Sequence, residues 1–147
     1  MHPHMLDEAG LGSALRCYAR DFADLSGIDV SVDVPSEFAR QPREVETTIF
    51  RIVQEALTNV HRHSGSRTAS VHLACEKHQL RAEVKDDGRG LPQSHSTIGT
   101  AGRIPAGVGI TGMRERAEQL NGVFEIESAP GHGTVVRVSL PLAANAD

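Results

Sequence analysis

The amino-acid sequence predicts a two-layer α/β sandwich, a mixed and largely antiparallel sheet covered on one face by helices. Three observations predict it. Apolar and polar residues alternate with the period of a half-buried strand in five short segments, whereas residues 13–25, 43–63 and 110–120 repeat apolar residues at helical spacing. The aliphatics must supply the core, because the 147 residues include no Trp, one Tyr and four Phe. Glycine is abundant at 14 residues, which suits an α/β domain with glycine loops.

The elements follow in order. Leu11, Ala14, Leu15, Tyr18 and Phe22 form an amphipathic stripe behind Ser13 as N-cap, so a helix is expected over 13–25, ending near Gly27. Ile28, Val30, Val32 and Val34 alternate with polar residues until Pro35 stops the strand. The longest helical pattern, 43–63, is entered through Pro42 and buries Ile49, Val53, Ala56, Leu57 and Val60. On another face of the same wheel lie Glu55, Asn59 and Arg62, side by side by their spacing of four and three, with His63 between that face and the apolar stripe.

Ala69, Val71, Leu73 and Cys75 alternate in one strand and Leu80, Ala82 and Val84 in the next, a hairpin turning between Glu76 and Gln79. One further inward step reaches Asp86, where a carboxylate is costly unless something pairs with it. Residues 88–109 are rich in glycine, interrupted by Pro92 and Pro105, and poor in apolar side chains, which predicts a mobile loop that orders through function rather than burial. Ile110, Met113, Ala117 and Leu120 then make a short helix stopped by Asn121-Gly122. Two strands close the fold, Phe124 with Ile126 and, after Pro130-Gly131, Val136, Val138 and Leu140 with Thr134 in register. The tail after Pro141 reads as loose.

A chain of this length buries roughly 70% of its unfolded surface, so one core suffices without disulfides or metal. The net charge of -4, with no basic stripe, argues against a nucleic-acid partner. No apolar run approaches the ~20 residues of a membrane span and Met1-His2-Pro3-His4 lacks the regions of a signal peptide, so the expectation is a cytoplasmic segment without direct membrane contact. Cys17 and Cys75 are expected to be buried reduced thiols. The eight histidines lack accompanying ligands at zinc-site spacing and read mostly as surface residues.

Gly107, Gly109 and Gly112 spell G-x-G-x-x-G ahead of a helix, where bare amides and a helix N-terminus can cradle phosphates. The pattern is weak alone. A dinucleotide fold would need a preceding strand inside a βαβ unit, and no G-x-x-x-x-G-K-[ST] loop is present. The ordered set is far more specific: Glu55 and Asn59 on a helix, Asp86-x-Gly88-x-Gly90 after a strand, Gly107-x-Gly109-x-x-Gly112, then Gly131-x-Gly133-Thr134. Over most of its length the chain resembles the GHKL superfamily, the Bergerat-fold ATP-binding domains of gyrase, Hsp90, histidine kinases and MutL. Residues 54–60, QEALTNV, with His63-Ser64, and residues 109–117, GITGMRERA, resemble more narrowly the nitrate-response and DesK-like sensor histidine kinases.

The resemblance implies Mg-ATP as ligand and transfer of its γ-phosphoryl to a histidine. It implies that Asp86 accepts a hydrogen bond from the adenine amine, that Gly88 and Gly90 let the backbone pass close to the base, and that Thr134 supports the adenine side. Asn59 takes the place of the family's magnesium ligand, and Glu55 that of a residue orienting the metal's water shell or acting as a base. Gly107, Gly109 and Gly112 would hold phosphates under a lid at 91–108. Arg62 and His63 would contact phosphate, although Arg62 equally suits a solvated surface charge and His63 a helix end favoured by its dipole. Residues 1–27 resemble the stretch after a phosphoacceptor hairpin that this chain itself does not supply, which leaves 28–142 as the ATP-binding domain and 143–147 as a tail. The partners implied are the dimerisation and phosphoacceptor hairpin of a parent kinase and a response regulator. A GHKL ATPase or a nucleotide-dependent regulatory module is the alternative.

Overall fold

The computed structural model describes residues 4–35, 40–76, 78–88 and 108–142. Helix α1 (His4–Ser26) leads into β1 (Asp29–Asp33), followed by α2 (Arg43–Asn59), whose last turn, Val60–Ser64, is a π-helix. The hairpin of β2 (Thr68–Glu76) and β3 (Gln79–Asp86) comes next, then α3 (Val108–Gln119), β4 (Val123–Ser128) and β5 (Thr134–Pro141).

These strands form one sheet in the order β1-β2-β3-β5-β4, with β1 and β2 parallel and the other pairs antiparallel. The predicted sandwich is thus the observed one. Alternation decides the faces: Val71, Leu73, Leu80, Ala82, Val84, Val136, Val138 and Leu140 are all buried beneath the helices. The opposite face carries polar pairs, the His72 ring nitrogen 2.9 Å from Asp33 and the Arg137 guanidinium paired with Glu83 at 2.9 Å and Glu127 at 3.3 Å.

Helix α1 starts at His4, well before the expected Ser13, because it runs through a kink at Gly10, where φ is 90°. Its Leu6, Leu11, Ala14 and Leu15 pack into the same core as α2 and the sheet. The start of α2 is anchored by Glu46, a carboxylate only 2% exposed. It accepts two hydrogen bonds from the Arg40 guanidinium, both 3.2 Å, and one from the Gln41 amide at 3.0 Å, so this buried charge is paired.

Two expectations require correction. Cys75 is exposed rather than buried, and Cys17 is half-buried. Cys75 shares the inward register of Leu73, but β1 pairs with β2 only from Thr68 to His72, so beyond His72 strand β2 has become an edge. The second concerns the end of the long helix: 60–64 is π-helical and not a continuation of the α-helix, and Gly65 closes it at φ 71°. At the other end of the fold, α3 stops where expected, the Gly122 amide donating to the Ala117 carbonyl at 2.8 Å with Asn121 left-handed at φ 62°.

Candidate functional site

The site begins with the inward carboxylate. Asp86 is 4% exposed and ends β3 in register with Ala69 on one side and Thr134 on the other. It accepts hydrogen bonds from the Gly88 amide at 2.8 Å, from the Ser64 hydroxyl and from the Thr134 amide. A carboxylate has about four acceptor positions, so three donors from the protein leave one for a donor from outside. Burial pushes the Asp86 carboxyl above its usual range, and Asp87 adds to the rise, against the three hydrogen bonds that lower it.

This rise has a direct consequence for stability. The folded chain keeps the Asp86 proton to higher pH than the unfolded chain, so the associated stability is complete below the ordinary value of 3.8 and is lost as pH rises through the folded value. Against the Asp86→Asn variant, which lacks this titration, the parent should lose unfolding free energy over that window and run parallel above it. Urea unfolding of both proteins across pH checks this, and parallel curves throughout would contradict it.

The π turn explains how Ser64 reaches Asp86. By widening the last turn of α2 it turns Ser64 inward, 4% exposed, where its hydroxyl also accepts from the Ser66 amide at 3.0 Å. Gly88 passes so close that a Cβ there would collide with the Ser64 carbonyl, so only glycine fits. Around Asp86 lies a narrow inner pocket lined by Ala56, Asn59, Val84, Ile126, Thr134 and Val136. The Thr134 hydroxyl is 3.0 Å from that of Ser128, so its amide rather than its side chain bonds Asp86.

Beyond the inner pocket opens a cleft of about 1130 Å³ whose walls include Glu55, Asn59, Arg62, His63, Gly109 and Gly112. Glu55, Asn59 and Arg62, expected on one polar face, therefore meet at one cavity, together with His63, expected between that face and the apolar stripe. Asn59 lines both the inner pocket and the open cleft and stands at their junction. On the opposite wall the backbone of Gly109 lies against the Glu55 carboxylate, in space that a Cβ would fill. Gly112 has nothing within contact distance of a built Cβ, so its place in the cleft wall, not crowding, is what the structure gives it. Gly90 and Gly107, and the expected lid at 91–108 apart from the start of α3, lie outside the described residues.

Sequence reasoning missed three residues of this region. Ser64 was legible only as part of a motif, because an α-helical wheel does not point it at Asp86. Arg116, one turn along α3 from Gly112, lines the cleft. Tyr18, counted with the apolar stripe of α1, lines it as well. Arg114 in the same motif turns away and caps the sheet, 5.0 Å over the Phe124 ring.

The arrangement is a buried acceptor joined, through one amide side chain, to a wide polar cleft flanked by guanidinium groups. Such a shape suits a base at one end and a polyphosphate at the other. Among the described residues no helix is long and apolar enough to cross a membrane.

Comparison with known proteins agrees with this shape. The chain is 34% identical to the oxygen sensor histidine kinase NreB of Staphylococcus carnosus over 97% of its own length and 39% of that protein's. It is 32% identical to the histidine-protein kinase/phosphatase DegS of Brevibacillus brevis, over 93% of the chain and 34% of that protein. The chain thus spans little more than a third of these curated relatives. Among solved structures, the histidine kinase domain of the blue-light activated kinase of Erythrobacter litoralis matches with a TM-score of 0.74 at 27% identity, covering 90% of this chain and 61% of that one. The histidine kinase AdeS of Acinetobacter baumannii shares the fold, with a TM-score of 0.67 at 12% identity over 91% of this chain and 64% of that one. Residues 44–144, which hold the buried carboxylate, the amide at the junction and the glycine boxes, match one family model, and the chain belongs to the histidine kinase-, DNA gyrase B- and HSP90-like ATPase family.

Proposed function

We propose that this chain binds Mg-ATP and presents its γ-phosphoryl group to a histidine on a separate upstream hairpin, as the catalytic domain of a cytoplasmic sensor-kinase segment. The observation that carries the reading is Asn59 at the junction between the Asp86 pocket and the polar cleft. Adenine would seat at Asp86, donating its amine to the remaining acceptor position, with Gly88 and Gly90 close to the base and Thr134 closing its far side. The triphosphate would extend past Asn59 into the cleft toward Arg62, His63, Gly107, Gly109 and Gly112.

A magnesium ion, when bound, supplies charge neutralisation to the phosphates, and it takes hard oxygen ligands while keeping several waters. The Asn59 side-chain oxygen is such a ligand, and the Glu55 carboxylate is placed to orient a water or the incoming nucleophile. Catalysis then rests on positioning and electrostatic stabilisation. The phosphoryl group would pass on to a response regulator. A water-directed ATPase or a nucleotide-dependent regulatory module would share the same pocket, and they separate from the kinase by where the phosphate goes.

Incubated with labelled Mg-ATP, the chain should bind nucleotide and place no stable phosphate on its own histidines. His63 belongs to the wall of the site itself and His61, in the same π turn, meets Phe22 edge-on, which leaves neither an in-line approach from outside, and transfer needs reacting atoms about 3 to 3.5 Å apart. Adding the hairpin of the parent kinase should yield acid-labile label on that hairpin. Steady release of inorganic phosphate with no labelled hairpin would favour the ATPase reading, and label on this chain's histidines would contradict the assignment.

A further inference from the structure

The peptide between Asp86 and Asp87 lies one step past the last paired residues of the β2–β3 hairpin, Ala69 with Asp86. It is held there from two sides. On one side Gly133 passes so close that a Cβ would collide with the Asp86 carbonyl. On the other the Asp87 amide donates to the Ser66 hydroxyl at 3.2 Å. That hydroxyl also accepts from the Thr68 amide at 3.2 Å and donates to the Thr68 carbonyl at 2.6 Å, so its one donor and two acceptor positions are all filled. It forms a bridging rung, amide to hydroxyl to carbonyl, where the paired ladder of β2 and β3 has ended. Through its own amide Ser66 donates to the Ser64 hydroxyl at 3.0 Å, which joins this rung to the end of the π turn that begins just after Asn59.

We propose that Ser66 is a positioning residue for the nucleotide base, a strap that fixes the Asp86 carboxylate by tying the turn after β3 to the π turn at the end of α2. The inference deepens the proposed function and rests on it for the identity of the ligand, whereas the strap rests on hydrogen-bond geometry. A peptide unit is planar, so holding the Asp87 N–H also sets the Asp86 carbonyl and the backbone angle from which the next turn starts. From that turn the Gly88 amide reaches back to Asp86 Oδ1 at 2.8 Å. Ser66 lines neither the inner pocket nor the cleft, and acts on a ligand only through Asp86 and the π turn. Without the hydroxyl, the Asp87 amide and the Thr68 carbonyl turn to water, the peptide is free to rotate, and the carboxylate loses its fixed aim at the incoming amine.

Ser66→Ala removes the hydroxyl and leaves the apolar core untouched, so the variant is expected to fold with a thermal midpoint near the parent's. Its dissociation constant for Mg-ADP, measured by calorimetric titration, should rise about fivefold, the scale of one neutral hydrogen bond. Ser66→Thr keeps the hydroxyl and should bind Mg-ADP like the parent. A second readout needs no ligand. Amide hydrogen exchange, followed by nuclear magnetic resonance without nucleotide, should be about fivefold faster at Asp87 in Ser66→Ala than in the parent, and near the parent's rate in Ser66→Thr. Mg-ADP affinity equal in Ser66→Ala and parent, a loss that Ser66→Thr shares, or a thermal midpoint that falls in step with affinity would overturn the proposal. If the unaltered chain binds no Mg-ADP, the nucleotide reading fails by itself, and exchange at Asp87 that Ser66→Ala leaves unchanged overturns the strap separately.

Discussion

Asp86→Asn should lower ATP affinity by about tenfold to more than a hundredfold. A hydrogen bond to a charged acceptor contributes roughly 1.5 to 3 kcal/mol, and each 1.4 kcal/mol is about tenfold in dissociation constant. The carboxylate has only acceptors to offer, and three are already used by Gly88, Ser64 and Thr134. An amide in its place offers one oxygen for those donors and turns an NH2 toward some of them, so it cannot both satisfy the protein and accept from the base. Calorimetric titration with ATP, accompanied by circular dichroism to show that the fold persists, measures the effect. A folded variant that binds as tightly as the parent would remove adenine from this pocket.

Asn59→Asp should reduce phosphoryl transfer to the hairpin by about a hundredfold or more, the scale on which loss of one preorganised electrostatic group acts. The substitution puts a second negative charge near Glu55, at the junction where phosphates are to lie, and removes the amide's donor. Nucleotide binding without magnesium should weaken much less than transfer, since the Asp86 pocket is untouched. Labelled-ATP transfer assays paired with metal-free calorimetry separate the two quantities. Transfer at the parent's rate would take the metal away from Asn59.

Much of this site was legible because strand periodicity is strict. Five alternating segments gave five strands, and continuing the register of Leu80, Ala82 and Val84 by one step exposed Asp86 as a carboxylate on the buried face, as found. Helical spacing likewise brought Glu55, Asn59, Arg62 and His63 to one cleft. The misses arise where period and burial part company. A π turn shifts the helical wheel locally, so Ser64 was not seen to face Asp86. Cys75 obeys the alternation but lies beyond the end of β1, a fact of tertiary pairing that no single strand carries. Tyr18 fits an apolar stripe by spacing, and an amphipathic ring can satisfy the stripe with its body while its hydroxyl serves the cleft.

The pairing of Asp86 with Thr134 across β3 and β5 separates the two halves of the chain's chemistry in an unexpected way. Both residues are placed by sheet register, and α3, with Gly109 against Glu55, is placed by its packing on α2 and β4. The chain between residues 88 and 108 therefore joins two anchored points and is not needed to set their distance. Closing a loop costs entropy that grows slowly with its length, each doubling adding only about 0.6 kcal/mol. Insertions or deletions there can accumulate in a lineage while the spacing of Asp86, Thr134 and Gly109 is inherited unchanged.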